Sequence, residues 1–242
     1  MARINQNNPG PATPQKIAMS VIQKYYIDTD ESYSKEEFLA MIKSMSPSKR
    51  HLEYKLSKSL DLLALNPSKE EYDMLVEMYA FRFYFGHSVI TMESLNKLVQ
   101  FIGKSKVLEI GAGNGYTGRA LQLSGIDVTL TDIPNNIYPC LQMFDKKPWT
   151  EIIYMDNISA LNKYVDCDCL LMIWPPPGIL MAYDSIKLFK GSKFIYIGEW
   201  SGGQNGTSDF FSELDKNWNI IEKVNVPNFM ATSDSIYLFT RK

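Results

Sequence analysis

The sequence VLEIGAGNGYTGRAL, at residues 107–121, constrains the fold more than any other part of the chain. It is typical of a short buried strand that turns through Gly111, Gly113 and Gly115 into a helix. Glycines suit such a turn because the backbone bends tightly there and lets a ligand lie against it, while the helix N-terminus offers free N–H groups. The feature predicts an α/β fold with a ligand site where this strand ends.

The segments after this turn have the pattern of alternating strands and helices. Strands followed by helical stretches predict a parallel sheet, and the last two runs are separated by only PNFMATSD, which is too short for a helical crossover and predicts an antiparallel pair. We therefore expect a doubly wound, mostly parallel sheet of seven strands with an antiparallel C-terminal strand. The further runs are DVTLTD (127–132), EIIYMD (151–156), CLLMIW (169–174), KFIYIG (193–198), NIIEKVNV (219–226) and SIYLFTRK (235–242).

The region before the glycine turn has a helical pattern and predicts an N-terminal helical annex. Ser34 with Glu37, and Ser68 with Glu71, form two capping boxes at expected helix starts. Four aromatic residues between positions 81 and 85 would form a large apolar patch if exposed, so we expect the annex to pack on the sheet. The predicted organisation is a flexible arm at 1–15, a helical region at 16–103 and an α/β domain at 104–242.

Composition excludes several classes of protein. Hydrophobic residues make up 45% of the 242 residues and charged residues 21%, as in an ordinary globular chain, and the net charge of −2 gives no global positive field for nucleic acid or anionic membrane. A local basic stretch either contacts phosphates or is a solvated helix face, and the second interpretation is favoured. It comprises Lys43, Lys49, Arg50, Lys55 and Lys58.

Cysteine content and hydropathy predict a reduced, cytoplasmic protein. Cys140, Cys167 and Cys169 cannot form a disulfide framework, and a single C-x-C pair without companion ligands is a poor metal site. No apolar run has the length of a signal-peptide core near the N-terminus or of a membrane span elsewhere. We expect no metal and no membrane partner.

Glu109 indicates which kind of ligand the glycine turn serves. Gly113, Gly115 and Gly118 also have dinucleotide spacing, but that pattern is weak by itself. A carboxylate two residues ahead of the first glycine would repel a pyrophosphate and would favour a cationic amino acid group. The turn therefore favours a ligand that carries a positive charge.

With this acid and these glycines, the chain resembles the class I S-adenosylmethionine-dependent methyltransferases from about Ile102 to Lys242. The resemblance implies that S-adenosylmethionine is the cofactor, with its methionine portion along the glycine turn, its ribose on Asp132, and its adenine near Ile133 and the residues that end the third strand. The residues implied in cofactor binding are Glu109, Gly111, Gly113, Asn114, Gly115, Asp132, Ile133, Asp156, Asn157 and Trp174. Asn157 alternatively caps the next helix.

The end of the fourth strand departs from part of that family. Amino-methylating members carry a polar residue before Pro-Pro, whereas this chain has Trp174 before Pro175 and Pro176. An indole ring donates hydrogen bonds only, so it cannot accept one from a target amine. The prolines would shape the substrate mouth, and Trp174 either stacks on adenine or a planar substrate, or forms a structural turn.

Three further residues are candidates for the acceptor side. Glu199 and Trp200 precede a run of glycines at the end of the fifth strand, a pattern typical of a mobile loop with one functional acid. Glu199 is the candidate catalytic base or substrate ligand, and the alternative is a solvated loop acid. Trp200 is a candidate substrate contact, as is His87, which could close over the cofactor from the helical region or be structural.

Two functions remain open at this point. The first is a methyltransferase whose acceptor the sequence does not identify; RNA and protein are both open as partners. The second is a non-catalytic module that keeps the fold and binds a protein or RNA partner, since Trp174 stands where a catalytic polar residue is expected. A nicotinamide oxidoreductase is disfavoured by Glu109 and by the C-terminal antiparallel pair.

Overall fold

The glycine turn joins a buried strand to a helix, as predicted, within an α/β fold. The computed structural model describes residues 20, 33–44, 68–134, 148–229 and 232–242. The described helices are α1 (Lys35–Ser44), α2 (Lys69–Phe85), α3 (Met92–Ile102), α4 (Tyr116–Leu123), α5 (Asn157–Lys163), α6 (Met181–Leu188) and α7 (Ser208–Asn217). The described strands are β1 (Val107–Ile110), β2 (Val128–Asp132), β3 (Ile153–Tyr154), β4 (Cys169–Ile173), β5 (Lys193–Gly198), β6 (Trp218–Asn225) and β7 (Ser235–Arg241).

These strands form one sheet in the order β3-β2-β1-β4-β5-β7-β6. The first five strands are parallel to one another, and β7 runs antiparallel to both β5 and β6. The strand order reverses between β1 and β4, and ligands in doubly wound sheets bind at the carboxyl edge near such a reversal. The fold prediction is confirmed, including the antiparallel C-terminal strand that the resemblance to class I methyltransferases implies.

Both faces of the sheet are covered by helices. Helices α1 to α4 pack with one set of strand residues, among them Val107 and Leu171, and α5 to α7 pack with the alternate set, among them Leu108 and Leu170. Neighbouring residues of a strand point to opposite faces, so a strand buried on both faces is apolar throughout. This explains why β1 and β4 are nearly continuous apolar runs.

The helical annex joins the same core as the sheet. Tyr84 and Phe85, near the end of α2, are 3% and 5% exposed, and the Phe85 ring centroid lies 5.0 Å from that of Tyr116 in α4. The indole of Trp149 donates a hydrogen bond to the backbone carbonyl of Tyr84. The described helices of the annex therefore pack on the sheet as expected. The domain boundaries stay a prediction, and the arm at 1–15 lies outside the described residues.

The helix starts follow the capping chemistry of the sequence. The Ser34 hydroxyl accepts from the backbone N–H of Glu37, and the Glu37 carboxylate accepts from that of Ser34. Ser68 and Glu71 make the same reciprocal pair at the start of α2. Both predicted capping boxes are confirmed. The basic stretch lies largely outside the described residues.

The third strand is shorter than the sequence pattern indicates. Of the six-residue run at 151–156, only Ile153 and Tyr154 pair with β2. At the carboxyl end the reason is that β2, its neighbour in the described sheet, ends at Asp132 opposite Tyr154, so strand pairing does not continue to Met155 and Asp156.

The described part of the chain contains neither a candidate membrane-spanning helix nor a candidate metal site. None of its helices is both long and apolar enough to cross a membrane. Its His, Cys, Asp and Glu residues form no group of three that could hold a metal ion. Cys167 and Cys169 are buried free thiols.

Candidate functional site

The candidate site lies along the carboxyl edge of the sheet, on both sides of the β1/β4 reversal. We call the part formed by Glu109, the glycine turn 111–115 and Asp132 the β1–β2 half. We call the part formed by the segments after β4 and β5, together with Asp234 before β7, the β4–β5 half. Glu109 in the first half and Glu199 in the second differ in how they are hydrogen-bonded.

The glycine turn of the β1–β2 half is open to a ligand. Gly113 has a φ of +60°, in the left-handed region that favours glycine, and a Cβ built there would have no atom within 4 Å. Helix α4 starts after Gly115, which also has a positive φ, and the first N–H group of the helix, that of Tyr116, donates to the side chain of Asn114. The turn therefore offers free space beside a helix N-terminus.

Glu109 is a buried acid that lies beneath the first turn of α4. Its side chain is 1% exposed, and its Oε2 has no hydrogen-bond partner among the described residues. A Cβ built on Gly118 would lie 2.5 Å from that oxygen, so glycine at 118 makes room for the carboxylate. Burial, and to a smaller extent the negative charge of Asp132, raise the pKa of Glu109 to about 8. A cation placed beside these two acids would be stabilised by both.

Asp132 ends β2 and closes the other side of the glycine turn. Its Oδ2 accepts a hydrogen bond from the backbone N–H of Gly113 at 2.7 Å, and its Oδ1 accepts one from that of Ile133 at 2.7 Å. Burial raises the pKa of Asp132, and the two backbone hydrogen bonds oppose that shift. Ile133 itself is 57% exposed, so its side chain is available to pack on a ligand.

Asn114 has a structural position within the turn. Its Oδ1 accepts from the backbone N–H of Tyr116 at 3.1 Å, and its Nδ2 donates to the backbone carbonyl of Phe83 at 3.2 Å. The side chain therefore ties the glycine turn to α2. The role of Asn114 in cofactor binding stays a prediction. Its backbone is able to contact a cofactor while its side chain is bonded to α2.

Asp156 and Asn157 are brought to the carboxyl edge beside Asp132, as predicted from their place after β3. Asp156 caps α5, because its two oxygens accept from the backbone N–H and the hydroxyl of Ser159. Asn157 donates to the hydroxyl of Ser185 at 3.0 Å and to the carbonyl of Met181 at 3.3 Å. The cap is therefore Asp156 and not Asn157, and both side chains have structural partners.

Trp174 is held at the end of β4 by contacts from three directions. It has a φ of +49°, a strained conformation for an aromatic residue. Its Nε1 donates a hydrogen bond to Oδ1 of Asp234 at 2.9 Å. The His87 ring stacks on the indole at a centroid distance of 5.2 Å, and the guanidinium carbon of Arg82 lies 4.9 Å from the indole centroid. The sequence indicates both Trp174 and His87 as candidates for contact with the cofactor or the acceptor. The structure brings their rings into contact.

Asp234 is the functional candidate that sequence reasoning missed. It is 4% exposed and accepts hydrogen bonds from the Ser88 hydroxyl at 2.8 Å and from Trp174. Burial raises its pKa to about 6, although these two hydrogen bonds and the charge of Arg82 act in the opposite direction. The available signal was the antiparallel direction of β7, since the residue before an antiparallel strand lies at the carboxyl edge of its parallel neighbours.

Glu199 is buried and fully bonded, not a solvated loop acid. It is 5% exposed; its Oε2 accepts from the backbone N–H of Gln204 at 2.7 Å and its Oε1 from that of Ser233 at 3.0 Å. A Cβ on Gly203 would lie 2.6 Å from Oε2, so glycine there lets the loop fold onto the acid. Glu199 joins the loop after β5 to the segment before β7, and its catalytic role stays a prediction.

The remaining acceptor-side candidates differ in accessibility. Trp200 packs into the core on the α5–α7 face, with its ring centroid 4.6 Å from that of Tyr237. Pro175 is buried and its carbonyl accepts from Gly206, whereas Pro176 is exposed. Burial, with a smaller contribution from Arg82, lowers the pKa of His87 to about 3. His87 is thus neutral at physiological pH.

Comparison with known proteins gives structural likenesses only. No family model matches the chain, and no curated relative matches it. A TehB-like S-adenosylmethionine-dependent methyltransferase from Corynebacterium glutamicum is 17% identical, with 61% of this chain and 87% of that one covered and a TM-score of 0.40. Protein 1320 of Thermoplasma acidophilum is 16% identical (86% and 97% covered, TM-score 0.42), and TehB from Haemophilus influenzae is 15% identical (69% and 67% covered, TM-score 0.44).

Proposed function

We propose that this chain binds S-adenosylmethionine in the β1–β2 half of the site and transfers its methyl group to an acceptor that enters over the β4–β5 half. The observation that carries the proposal is Glu109, a buried acid with an unpartnered oxygen beneath an open glycine turn. A buried carboxylate without a partner is costly, and a bound cation offsets that cost. S-adenosylmethionine carries an ammonium and a sulfonium group.

The residues of the β1–β2 half fit this cofactor. Gly113 leaves space where a ligand chain can lie against the backbone, and Asp132 stands at the adjoining strand end with a carboxylate able to accept hydroxyl hydrogen bonds. Ile133 is exposed next to Asp132 and offers an apolar surface for a base. The same acids would repel the pyrophosphate of a nicotinamide dinucleotide.

When bound, the cofactor supplies an electrophilic methyl group on its sulfonium sulfur. The contribution of the protein is alignment, since holding two reactants in the correct geometry can supply much of the rate enhancement. Within the β4–β5 half, Glu199 uses both carboxylate oxygens on backbone N–H groups, and Asp234 accepts from Trp174 and Ser88. This arrangement suits an acceptor atom that is already nucleophilic.

The same hydrogen bonding favours a second candidate function. A module that binds S-adenosylmethionine and a protein or RNA partner without transferring methyl needs no free acid, and Glu199 and Asp234 are both engaged in holding loops together. Such a module would keep the β1–β2 half unchanged. The two functions differ in turnover and not in cofactor affinity.

Calorimetry followed by a transfer assay tests the proposal. Wild type should bind S-adenosylmethionine and S-adenosylhomocysteine and should give no heat with nicotinamide dinucleotides, and Glu109→Gln should weaken binding of both adenosyl ligands. Glu151→Gln, an exposed acid outside the site, is the matched control. Absence of heat with either adenosyl ligand would overturn both functions.

The transfer assay then separates the two functions. Tritium from methyl-labelled S-adenosylmethionine should appear in an acceptor when RNA, protein and small-molecule fractions are offered in turn. A wild type that binds the cofactor and a partner but labels neither would establish the binding module instead.

A further inference from the structure

The segment after Trp174 offers an acceptor only apolar surface. Residues 175–180, Pro-Pro-Pro-Gly-Ile-Leu, carry no charged side chain and none that forms hydrogen bonds, and prolines also lack a backbone N–H. Ile179 and Leu180 are 49% and 51% exposed. We call this segment the apolar lip.

The apolar lip leads directly into Met181, which lies against the proposed cofactor site. Met181, the next residue, has its Cε 3.8 Å from the position of a Cβ built on Gly111, in the glycine turn. The carbonyl of Met181 accepts a hydrogen bond from Asn157, which follows the strand next to Asp132 in the sheet. An acceptor that reaches the glycine turn from this side therefore passes the lip.

Trp174 adds no polar contact to the lip. Its one polar side-chain atom, Nε1, is used by Asp234, which is itself buried. His87 and Arg82 both lie against its ring. From position 174 to position 180, the chain thus presents an acceptor with apolar side chains and backbone carbonyls, and a polar acceptor group would lose its water without a side chain to replace it.

Charges near the lip disfavour a polyanion. Asp132 and Asp156 lie at the ends of the neighbouring strands, and the exposed residues next to them include the apolar Ile133 and Ile158 as well as Tyr154. Nucleic acids are bound chiefly through Lys and Arg contacts to phosphates, and the chain has a net charge of −2. Arg82 is a cation beside the lip, and its guanidinium lies against the Trp174 indole. The apolar side chains of the lip fit an uncharged apolar molecule.

We infer that the methyl acceptor is a small uncharged molecule that packs an apolar or aromatic group against the apolar lip, and that it is not a nucleic acid. This inference rests on the proposed function, because it specifies the substrate class of the same site. Two aliphatic side chains that become buried by a ligand contribute enough free energy to change its affinity by about tenfold or more.

Binding of two probes to matched variants tests the inference. The probes are Nile red, an uncharged apolar fluorophore, and a fluorescein-labelled single-stranded oligoribonucleotide. The lip variant is Ile179→Ser with Leu180→Ser, and the control is Ile220→Ser with Ile221→Ser, an equally exposed pair (50% and 58%) on β6. Nile red should bind wild type and the control alike and should bind the lip variant about tenfold or more weakly.

The cofactor product distinguishes the two proposals. Wild type and the lip variant should bind S-adenosylhomocysteine equally in calorimetry, and Nile red should still bind wild type when that ligand is saturating. If wild type does not bind S-adenosylhomocysteine, the proposed function fails and the inference fails with it. If it does bind, the inference alone is overturned by Nile red affinities that do not distinguish the lip variant from the control, by displacement of Nile red by the ligand, or by RNA binding that the lip substitutions weaken.

Discussion

Glu109 and Glu199 are both buried acids at the carboxyl edge of one sheet, at 1% and 5% exposure, but their surroundings differ. Glu199 accepts two backbone N–H groups, one on each oxygen, from two separate loops. Glu109 has an oxygen without a partner, and Asp132 adds a second negative charge nearby. Glu199 stabilises the fold, whereas Glu109 lacks a partner that a positively charged ligand would supply.

The difference shows how to separate structural from ligand-binding acids in this molecule. Burial alone does not distinguish them, because Glu109 and Glu199 are both buried. Hydrogen-bond satisfaction does, since a satisfied carboxylate stabilises its loops while an unsatisfied one costs free energy until a ligand binds. Removing Glu199 should therefore reduce stability, and removing Glu109 should reduce cofactor affinity.

The largest expected effect is the loss of stability in Glu199→Ala. The backbone N–H groups of Gln204 and Ser233 would each lose a charged acceptor. Each such hydrogen bond contributes about 1.5 to 3 kcal/mol, so the free energy of unfolding should fall by about 3 to 5 kcal/mol. Urea denaturation measures this, with Glu151→Ala as the exposed control. Cofactor affinity, measured by calorimetry below the unfolding transition, should not change.

Glu199→Gln sharpens that comparison, because its amide retains one acceptor oxygen and should lose only part of the stability. An Ala variant as stable as wild type would show that the carboxylate is free, and would strengthen its assignment as a catalytic base.

The second effect is a pH-dependent stabilisation by Glu109→Gln without ligand. The folded-state pKa is about 8 against an ordinary value near 4.5, so the folded protein binds more protons than the unfolded chain between these values and loses stability as pH rises. The Gln variant lacks this dependence and should gain on wild type from pH 5 to pH 8, by on the order of 2 to 4 kcal/mol.

Urea denaturation of both proteins at several pH values measures this gain. A constant difference between them would mean that Glu109 ionises normally in the folded protein, and the contrast with Glu199 would then disappear.

The third effect concerns cofactor affinity. Asp132→Ala removes an acceptor at the proposed ribose position and should weaken S-adenosylhomocysteine binding by about 1.5 to 3 kcal/mol, or roughly tenfold to 100-fold. Asp166→Ala, an exposed acid paired with Lys106, is the control and should bind normally. Calorimetry measures the affinity of each variant for S-adenosylhomocysteine. Equal affinities in Asp132→Ala and Asp166→Ala would mean that the ribose does not bind at Asp132.

Most of the fold could be predicted from local sequence patterns. The strand runs, the two capping boxes and the short C-terminal connection each depend on residues that are close along the chain, and each appears in the structure. Glu109 could also be singled out, because its spacing from the glycines is local. The carboxyl end of β3 could not, since it depends on where its neighbour β2 ends.

The β4–β5 half was less predictable because its contacts span long distances in sequence. Ser88 and Asp234 are 146 residues apart, and Ser233 is 34 residues from Glu199. No local pattern shows that these groups meet, so Asp234 was missed and Glu199 was expected to be either solvated or catalytic. Unsatisfied or satisfied hydrogen bonding is a tertiary property, and it decides the role of each acid here.

The smallest expected effect is that of replacing Asp156, which is exposed and so differs from both Glu109 and Glu199. Asp156 is exposed, caps α5 through Ser159, and was predicted to contact adenine. Asp156→Ala should lower the melting temperature by a few degrees through loss of the cap, and Asp156→Ser should restore it, because serine is also a good N-cap residue. If the cap is its whole role, both variants should bind S-adenosylhomocysteine as wild type does. A loss of affinity shared by Ala and Ser, with stability restored only in Ser, would instead establish a direct contact to the cofactor and would extend the ligand-binding half of the edge from β2 to β3.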